Sequence, residues 1–253
     1  MSQTTPPLRI ALVGYGKMGK EIERVALDRG MEIAARVDID SPSLQTPEVR
    51  KADVAIHFAI PSTVRQSVED LAKIGKPIVI GTTGWQKDYA AVRSVVESSG
   101  IGVVHASNFS VGVNILYHLL KEAGRLLDRF DEYDVSVHEV HHKDKLDAPS
   151  GTALAMADIL LKSIARKKEV LAGSPEGKIR PEQLQVSSGR YGTVVGMHRV
   201  TFDSAADSIE IAHTAKNRTG FAVGAVVAAA WVKNQKGIFT FDDVLADLLT
   251  QQR

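Results

Sequence analysis

The 253-residue sequence contains no cysteine. Without thiols the chain can form no disulfide bond, no thiolate zinc site and no cysteine nucleophile. Enzymes of the aspartate-semialdehyde dehydrogenase type, whose chemistry needs a cysteine nucleophile, are therefore excluded. The absence also fits a reducing compartment, and we expect a cytoplasmic protein.

The sequence also lacks an excess of charge of either sign and a long apolar run. Its formal net charge is +1, so it has no broad basic field that would bind nucleic acid or an anionic membrane. The longest apolar stretch, residues 221–232, is shorter than the roughly 18 to 20 residues that span a bilayer. The N-terminus lacks the pattern of a secretory signal. We expect a soluble protein with no nucleic-acid or membrane partner.

A glycine-rich motif follows the first apolar run, residues 8–13, and precedes a helical pattern that ends at Gly30. Strand, Gly-x-Gly-x-x-Gly and helix in this order are typical of dinucleotide binding, whereas a glycine-rich turn alone would not need that context. The first glycine permits the tight turn, the second lets a pyrophosphate approach, and the third lets helix and strand pack. The predicted cofactor-binding residues of this loop are Gly14, Tyr15, Gly16, Lys17, Met18 and Gly19.

The second predicted strand, residues 32–38, ends at Asp38, about 20 residues after the glycine motif. A carboxylate at this place binds the adenosine ribose of NAD. Asp40 would repel a 2'-phosphate, whereas Arg36 and Lys17 would attract one. NADH is therefore the preferred prediction, and NADPH is the alternative.

Further strand and helix patterns alternate up to about residue 110, which predicts a parallel sheet. Ligands bind beyond the carboxyl ends of such strands. The residues that follow two of these strands are ordinary turn formers, but their position predicts that they face the nicotinamide. They are Gly81, Thr82, Thr83, Ala106, Ser107, Asn108 and Phe109.

After residue 110 the pattern changes to a helix over 113–130 and strands over 133–140, 192–202 and 208–213. Such an order predicts a mixed or antiparallel sheet in a second domain. Residues 162–190 are rich in charge, glycine and proline, and we expect an exposed loop and helix end there. Within them, Arg166-Lys167-Lys168 is expected to be a solvated face.

The densest cluster of polar groups lies in residues 139–153, between a strand pattern and a helix pattern. Ser150 is a suitable N-cap, so Gly151 and Thr152 would start a helix whose free N–H groups attract an anion. Lys145 adds a positive charge. The segment predicts a carboxylate or phosphate site.

Two alternatives exist for the same segment. His138-Glu-Val-His-His142 matches the H-E-x-x-H zinc motif, but that motif requires a helix. On a strand, four residues span roughly 13 Å, too far for two nitrogens that must each lie about 2 Å from one zinc, and we predict no metal. A purely structural histidine cluster would leave the neighbouring lysines and Ser-Gly-Thr unexplained.

The chain resembles the dihydrodipicolinate reductases over nearly its whole length. The resemblance is carried by the glycine motif and by the segments 81–84, 108–114 and 139–153, together with Gly196-x-His198 and His213-x-Ala-x-x-Arg218-x-x-Phe-Ala222. It implies an α/β fold with an N-terminal Rossmann-type dinucleotide-binding domain, residues 1–110 with 219–253. It also implies an inserted α+β domain with a mixed sheet, residues 111–218, that binds substrate and builds a homotetramer.

The resemblance further implies reduction of a small cyclic imine dicarboxylate in the diaminopimelate route to lysine. His141 and Lys145 become the acid/base candidates, and either one can donate the proton. The residues implied to hold substrate are His142, Ser150, Gly151, Thr152 and Arg218. Many family members have one more residue in the glycine loop and a basic residue after the ribose-binding acid; here Ile39 and Asp40 follow Asp38, which disfavours equal use of NADPH.

Two other functions fit the N-terminal motif alone. One is another two-domain NAD-dependent dehydrogenase of a small carboxylate, which would not need the 139–153 segment. The other is a non-catalytic dinucleotide-sensing protein, which would be expected to lose His141 or Lys145, and both are present.

Overall fold

The computed structural model describes residues 6–38 and 43–250, so Ile39 and Asp40 lie outside the described residues. The chain divides into two compact units. Unit 1 consists of Met1–Val111 and Thr219–Arg253, and unit 2 of Gly112–Arg218. Strands and helices are numbered below along the whole chain.

Unit 1 is a six-stranded parallel sheet with helices on both faces. Its strands are β1 (Arg9–Val13), β2 (Glu32–Val37), β3 (Val54–His57), β4 (Ile78–Ile80), β5 (Gly102–His105) and β11 (Gly237–Thr240), in the order β11-β5-β4-β3-β1-β2. Its helices are α1 (Lys17–Asp28), α2 (Pro47–Lys51), α3 (Val64–Lys73), α4 (Tyr89–Ser99), α7 (Thr219–Val232) and α8 (Phe241–Thr250).

The continuous apolar run of β1 follows from burial on both faces of this sheet. Ile10 and Leu12 pack into a core with α1, α7 and α8. Ala11 and Val13, which point to the opposite face, pack into a second core with α2, α3 and α4. The parallel strands all end at one edge, and the loops after β1, β2, β4 and β5 therefore meet there.

Unit 2 contains a mixed five-stranded sheet. Its strands are β6 (Asp134–His141), β7 (Glu169–Ala172), β8 (Gln183–Arg190), β9 (Gly196–Asp203) and β10 (Ser208–Ala215), in the order β10-β9-β6-β8-β7. β6 runs parallel to β8 and antiparallel to β9. The helices are α5 (Val111–Leu127) and α6 (Gly151–Ser163). The predicted class, a Rossmann-type parallel sheet plus a second mixed sheet, is confirmed.

The core of unit 2 lies on one face of its sheet. Each of the three central strands contributes two apolar side chains to it, from Val135 and Val137, Leu184 and Val186, and Val200 and Phe202. Helices α5 and α6 cover these side chains, mainly through Leu120, Met156 and Leu160.

The prediction of an exposed loop and helix end over residues 162–190 was correct in part. α6 ends at Ser163 and residues 173–181 are exposed, but the segment also contains β7 and β8. The solvated-face prediction fails for two of the three basic residues. Arg166 donates to the backbone oxygen of Tyr133, and Lys167 is 2% exposed. The Lys167 amine is paired with the exposed carboxylate of Asp134 at 2.6 Å, which compensates its charge. The sequence patterns also missed α2 and β11.

Over residues 6–38 and 43–250, no helix is both long and apolar enough to cross a membrane.

Candidate functional site

The loop between β1 and α1 leaves room for an anion. Gly14 has a φ of 90°, and a Cβ there would lie 2.3 Å from the backbone oxygen of Phe58. A Cβ on Gly19 would lie 2.3 Å from the oxygen of Gly14, whereas Gly16 faces open space. Since α1 begins at Lys17 without a side-chain cap, its first N–H groups are available to a phosphate. These residues fit a dinucleotide.

Tyr15 and Arg36 are joined through Glu23 on α1. The Arg36 guanidinium forms an ion pair with Glu23 and lies 5.8 Å from the centre of the Tyr15 ring. The Tyr15 hydroxyl also donates to Glu23. Because Arg36 is already neutralised, it is a weaker candidate for a 2'-phosphate than its charge alone indicates. The other two loop residues are Lys17, which is exposed, and Met18, which is half-buried against the core.

The ends of β1 and β2 bring Gly14 and Asp38 to one pocket. Polar side chains that the sequence patterns did not single out complete its lining; they are Ser43, Thr63, Gln66, Ser67 and Asp70. Asp70 is buried and accepts from Gln66 Nε2 at 3.0 Å. A concave, polar-edged pocket beside the glycine loop suits the adenosine half of a dinucleotide.

Not every residue predicted after β4 and β5 offers its side chain to a ligand. A Cβ on Gly81 would lie 2.0 Å from the Phe58 ring, so the glycine allows that ring to pack. Phe109 is buried, with its ring centre 5.1 Å from that of Phe241. Asn108 accepts from the backbone N–H of Ser110 at 2.8 Å. A small cavity is lined by Thr82, Thr83, Ala106 and Ser107 and by four residues absent from the prediction, Trp85, Gln86, Tyr89 and His105.

Thr82 is held by a buried histidine at the end of β3. Thr63 donates its hydroxyl proton to Ile60, so its oxygen accepts from His57 Nε2–H at 3.2 Å. His57 Nδ1 is then bare and accepts from the Thr82 hydroxyl at 2.8 Å. Burial lowers the pKa of His57 to about 4, in agreement with a neutral ring. The sequence patterns treated His57 as one residue of a strand and missed this link.

In unit 2, three neighbouring strands change from apolar to polar toward the same end of the sheet. On the helix-covered face, Glu139 and His141 follow the core valines of β6, Arg190 ends β8, and His198 precedes the core residues of β9. The pairing register places Glu139 opposite His198 and His141 beside Arg190. Residues 138–141 of the H-E-x-x-H match lie on the strand β6 and not on the helix that the zinc motif requires.

Glu139 lies at the centre of this polar end and is completely buried. Its Oε1 accepts from Arg190 at 2.6 Å and from the backbone N–H of Ser150 at 3.2 Å, and its Oε2 contacts His141 Nδ1. Burial alone would raise the pKa of Glu139, but its hydrogen bonds, chiefly the one from Arg190, outweigh burial and bring the pKa to about 2. The side chain is therefore a carboxylate at neutral pH.

Ser150 and His198 form a second link. The Ser150 hydroxyl oxygen accepts from the N–H of Ala153 at 3.2 Å and thereby caps α6. The same hydroxyl forms a hydrogen bond with His198 Nε2, 3.1 Å away. Burial lowers the pKa of His198 to about 4, so the ring is neutral.

The remaining predicted residues of unit 2 surround this cluster or lie apart from it. Lys145 is partly exposed and pairs with Asp147 at 2.6 Å, while Arg190 donates to the Asp147 backbone oxygen at 2.7 Å. His142, half-buried, directly follows β6, and Gly151 and Thr152 begin α6. Arg218 is exposed beyond β10, outside the hydrogen-bond network of the described residues around His141.

Glu139, His141 and His198 also have the composition of a metal site, since one ligand atom from each lies within 4.8 Å of the others. The charges oppose that interpretation. The Glu139 carboxylate already forms an ion pair with Arg190. Lys145 and Arg190 both act on His141 as nearby positive charges. Cations this close disfavour a further one. As the structure stands, Glu139, His141, Arg190 and, through Ser150, His198 form one hydrogen-bonded network.

A Rossmann-type unit with a glycine loop that fits a pyrophosphate, together with a second unit that carries an imidazole–carboxylate cluster, defines a dinucleotide-dependent oxidoreductase. Family models for the N-terminus and the C-terminus of dihydrodipicolinate reductase match residues 8–109 and 112–245. The chain belongs to this family. The predicted resemblance is thereby confirmed.

Curated relatives span nearly the whole chain. A 4-hydroxy-tetrahydrodipicolinate reductase from Christiangramia forsetii is 39% identical over 95% of this chain and 99% of its own length. A 4-hydroxy-tetrahydrodipicolinate reductase from Methanoregula boonei is 35% identical over 91% of this chain and 94% of its own length. Membership of an enzyme family at this identity makes the chain an oxidoreductase.

Solved structures agree at the level of the fold. A dipicolinate-bound dihydrodipicolinate reductase from Paenisporosarcina sp. TG-14 aligns with a TM-score of 0.76 at 23% identity, covering 94% of this chain and 99% of that one. An amine dehydrogenase from Mycobacterium smegmatis aligns with a TM-score of 0.58 at 12% identity, covering 94% and 96%. The fold is thus shared beyond the family, and the substrate must be argued from unit 2.

Proposed function

We propose that this chain reduces 4-hydroxy-tetrahydrodipicolinate to tetrahydrodipicolinate with NAD(P)H, in the diaminopimelate route to lysine. The observation that carries the proposal is the polar end of the unit 2 sheet, where His141, Lys145 and the start of α6 combine acid/base groups with positive charge. The choice of substrate follows the names of the relatives, which are called 4-hydroxy-tetrahydrodipicolinate reductases. A small cyclic dicarboxylate matches the charge and chemistry of these residues.

Substrate binding is assigned to the loop after β6 and the first turn of α6. Gly151 and Thr152 offer backbone N–H groups to one carboxylate, and Lys145 neutralises the other. His142, Ser150 and Arg218 are further contacts in this proposal, with Ser150 acting through the cap of α6. Pairing offsets the cost of desolvating two carboxylates.

Proton transfer is assigned to His141 and Lys145. The bound nicotinamide supplies a hydride, which leaves electron density on the substrate ring. A positioned proton donor lowers the barrier to such a step. Lys145 reaches the substrate from a partly exposed loop, whereas His141 is buried and backed by Glu139.

The cofactor in this proposal is NADH in preference to NADPH. The pyrophosphate is held by the loop Gly14–Gly19, the ribose hydroxyls by Asp38, and the nicotinamide end by residues 81–83 and 106–109. The carboxylate of Asp38 and the ion pair that neutralises Arg36 support NADH.

We further propose a cytoplasmic homotetramer with no nucleic-acid or membrane partner and no resident metal. Three large apolar side chains on α5 are about half exposed; they are Ile115, Leu119 and Leu126. Exposed apolar groups that recur along one helix support an interface between copies of the chain. The net charge of +1 supports the absence of a nucleic-acid partner.

The reaction is tested with the purified protein and substrate formed in place from pyruvate and aspartate semialdehyde by a dihydrodipicolinate synthase. NADH oxidation should depend on the synthase and exceed NADPH oxidation. Lys145→Ala should lower kcat by about a hundredfold, the usual scale for loss of a general acid, and leave NADH affinity close to that of the wild type.

Lys143→Ala is the matched control, because Lys143 is an exposed lysine of the same loop; it should retain full activity. Loss of NADH binding in Lys145→Ala would place Lys145 at the cofactor instead. A protein that binds NADH but oxidises it at the same rate without the synthase would contradict the proposed substrate.

A further inference from the structure

Glu139 is a buried carboxylate whose hydrogen-bond donors all come from segments that carry the proposed chemistry. Burying an ionised carboxylate is costly unless its oxygens are paired. Here the donors are Arg190 at the end of β8, the backbone of Ser150 at the start of α6, and His141 two residues along β6. One side chain therefore links three elements at the polar end of the sheet.

The contact with Glu139 determines which nitrogen of His141 carries a proton. An ionised carboxylate only accepts hydrogen bonds, so His141 Nδ1 must donate to it. Nε2 is then the nitrogen left for exchange with a ligand, and among the described residues it has no hydrogen-bond partner. A Cβ on Gly196 would lie 3.0 Å from Nε2, so the glycine of β9 leaves space beside this nitrogen.

The charges around His141 oppose its protonated form, except for Glu139. Burial lowers the pKa of His141, and the positive charges of Lys145 and Arg190 lower it further. His198, whose ring centre lies 5.1 Å from that of His141, is neutral and adds no negative charge. Glu139 alone among these groups raises the pKa. Its removal would leave the imidazole surrounded by groups that exclude a second proton.

We propose that Glu139 is a positioning residue that acts through His141, fixing the proton on Nδ1, presenting Nε2 to the ligand and supplying the negative charge that lets the ring take up a proton. Arg190 and the Ser150 N–H hold the carboxylate in place. The statement about proton transfer rests on the proposed function, whereas the statement about the His141 ring holds without substrate.

Imidazole NMR of histidine-labelled protein tests the ring directly. In the wild type, the long-range nitrogen–proton spectrum should show the neutral His141 ring protonated on Nδ1. In E139Q the proton should redistribute toward Nε2, and the pKa of His141 should fall because its negative neighbour is gone. E210Q is the matched control, since Glu210 is an exposed glutamate on β10 of the same sheet. A wild-type ring protonated on Nε2 would overturn the proposal even if E139Q does not fold.

Kinetics separate a positioning role from a structural one. E139Q should lower kcat by about ten- to a hundredfold, with little change in KM; the loss is smaller than the roughly 10²- to 10⁴-fold effect of an acid/base group itself, because His141 remains. The pH above which kcat declines should move downward. E139D, which keeps the charge, should recover part of the activity.

A double-mutant cycle provides the final discrimination. If Glu139 acts through His141, E139Q should lower kcat only slightly in an H141N background, because the effects of residues that act as one unit are not additive. Equal losses in both backgrounds would overturn the proposal. If the His141 ring is protonated on Nδ1 but the enzyme has no synthase-dependent activity, the role of Glu139 in fixing the ring is upheld and the proposed function is rejected. If the enzyme is active but the His141 ring is unchanged in E139Q, the proposed function is upheld and the role of Glu139 is rejected.

Discussion

At the carboxyl end of β2, Asp38 shares a pocket with Gly14, and the nearest basic side chain of its strand, Arg36, is already paired with Glu23. In our proposal the Asp38 carboxylate faces the place where a ribose or a 2'-phosphate would lie. Carboxylates accept hydrogen bonds from ribose hydroxyls and repel phosphate. The proposed preference for NADH therefore leads to a prediction about one residue.

Asp38→Ala should raise the KM for NADH by about tenfold or more, since hydrogen bonds to charged groups contribute roughly 1.5 to 3 kcal/mol. The KM for NADPH should stay constant or fall, because the repulsion is removed. Steady-state kinetics with both cofactors provide the measurement. Glu48→Ala, which removes an exposed acidic residue of α2, should leave the ratio unchanged. An unaltered ratio in Asp38→Ala would remove Asp38 from the ribose site.

Single residues also show what a sequence motif does not predict, namely the direction and the contacts of a side chain. Thr82 and Phe109 were predicted from their position after a strand, and both are buried. The Thr82 hydroxyl is engaged by His57, and the Phe109 ring packs on Phe241. A motif gives the place of a residue along the chain, whereas the direction of its side chain depends on neighbours from distant segments.

At the scale of elements, the sequence predicted those whose periodicity is strong. Apart from the short helix α2, the strands and helices of residues 8–105 and the central strand β6 appear within a few residues of their predicted bounds. β8 was missed because one face of this strand is polar and the segment before it is rich in glycine, proline and charge. As a result Arg190, which binds Glu139, was missed as well.

The long-range link between β3 and β4 leads to a prediction about an element. The Thr82 hydroxyl bonds His57 Nδ1 and accepts from the N–H of Ala59 at 3.0 Å. Thr82→Val keeps the shape but leaves both groups without a partner. Because each buried unsatisfied group costs about 1 to 3 kcal/mol, unit 1 should lose stability of that order in urea denaturation, and the KM for NADH should rise.

Thr83→Val is the matched control for stability, because Thr83 is the exposed neighbour. Its urea midpoint should equal that of the wild type. Equal midpoints for both variants would show that the His57–Thr82 bond contributes nothing to unit 1.

At the scale of the whole molecule, each unit buries a neutral histidine. Burial lowers the pKa of His57 in unit 1 and of His198 in unit 2 to about 4, against about 6.5 in an unfolded chain. The unfolded chain therefore binds more protons below pH 6.5. The contribution of the two histidines is fully present above that pH and declines as the pH falls toward 4. Glu139, whose pKa of about 2 lies below its unfolded value of about 4.3, loses its own contribution only below about pH 5.

Linkage sets the size of this effect. At pH 5 each histidine should lower the free energy of unfolding by about 2 kcal/mol relative to pH 7.5. Urea denaturation at pH 7.5, 6.5, 5.5 and 5 measures the decline. His57→Gln removes one titrating group while keeping an amide that can bond Thr63, so the decline for unit 1 should flatten and that for unit 2 should persist. A free energy of unfolding that is constant from pH 7.5 to 5 would mean that neither ring is kept neutral by the fold.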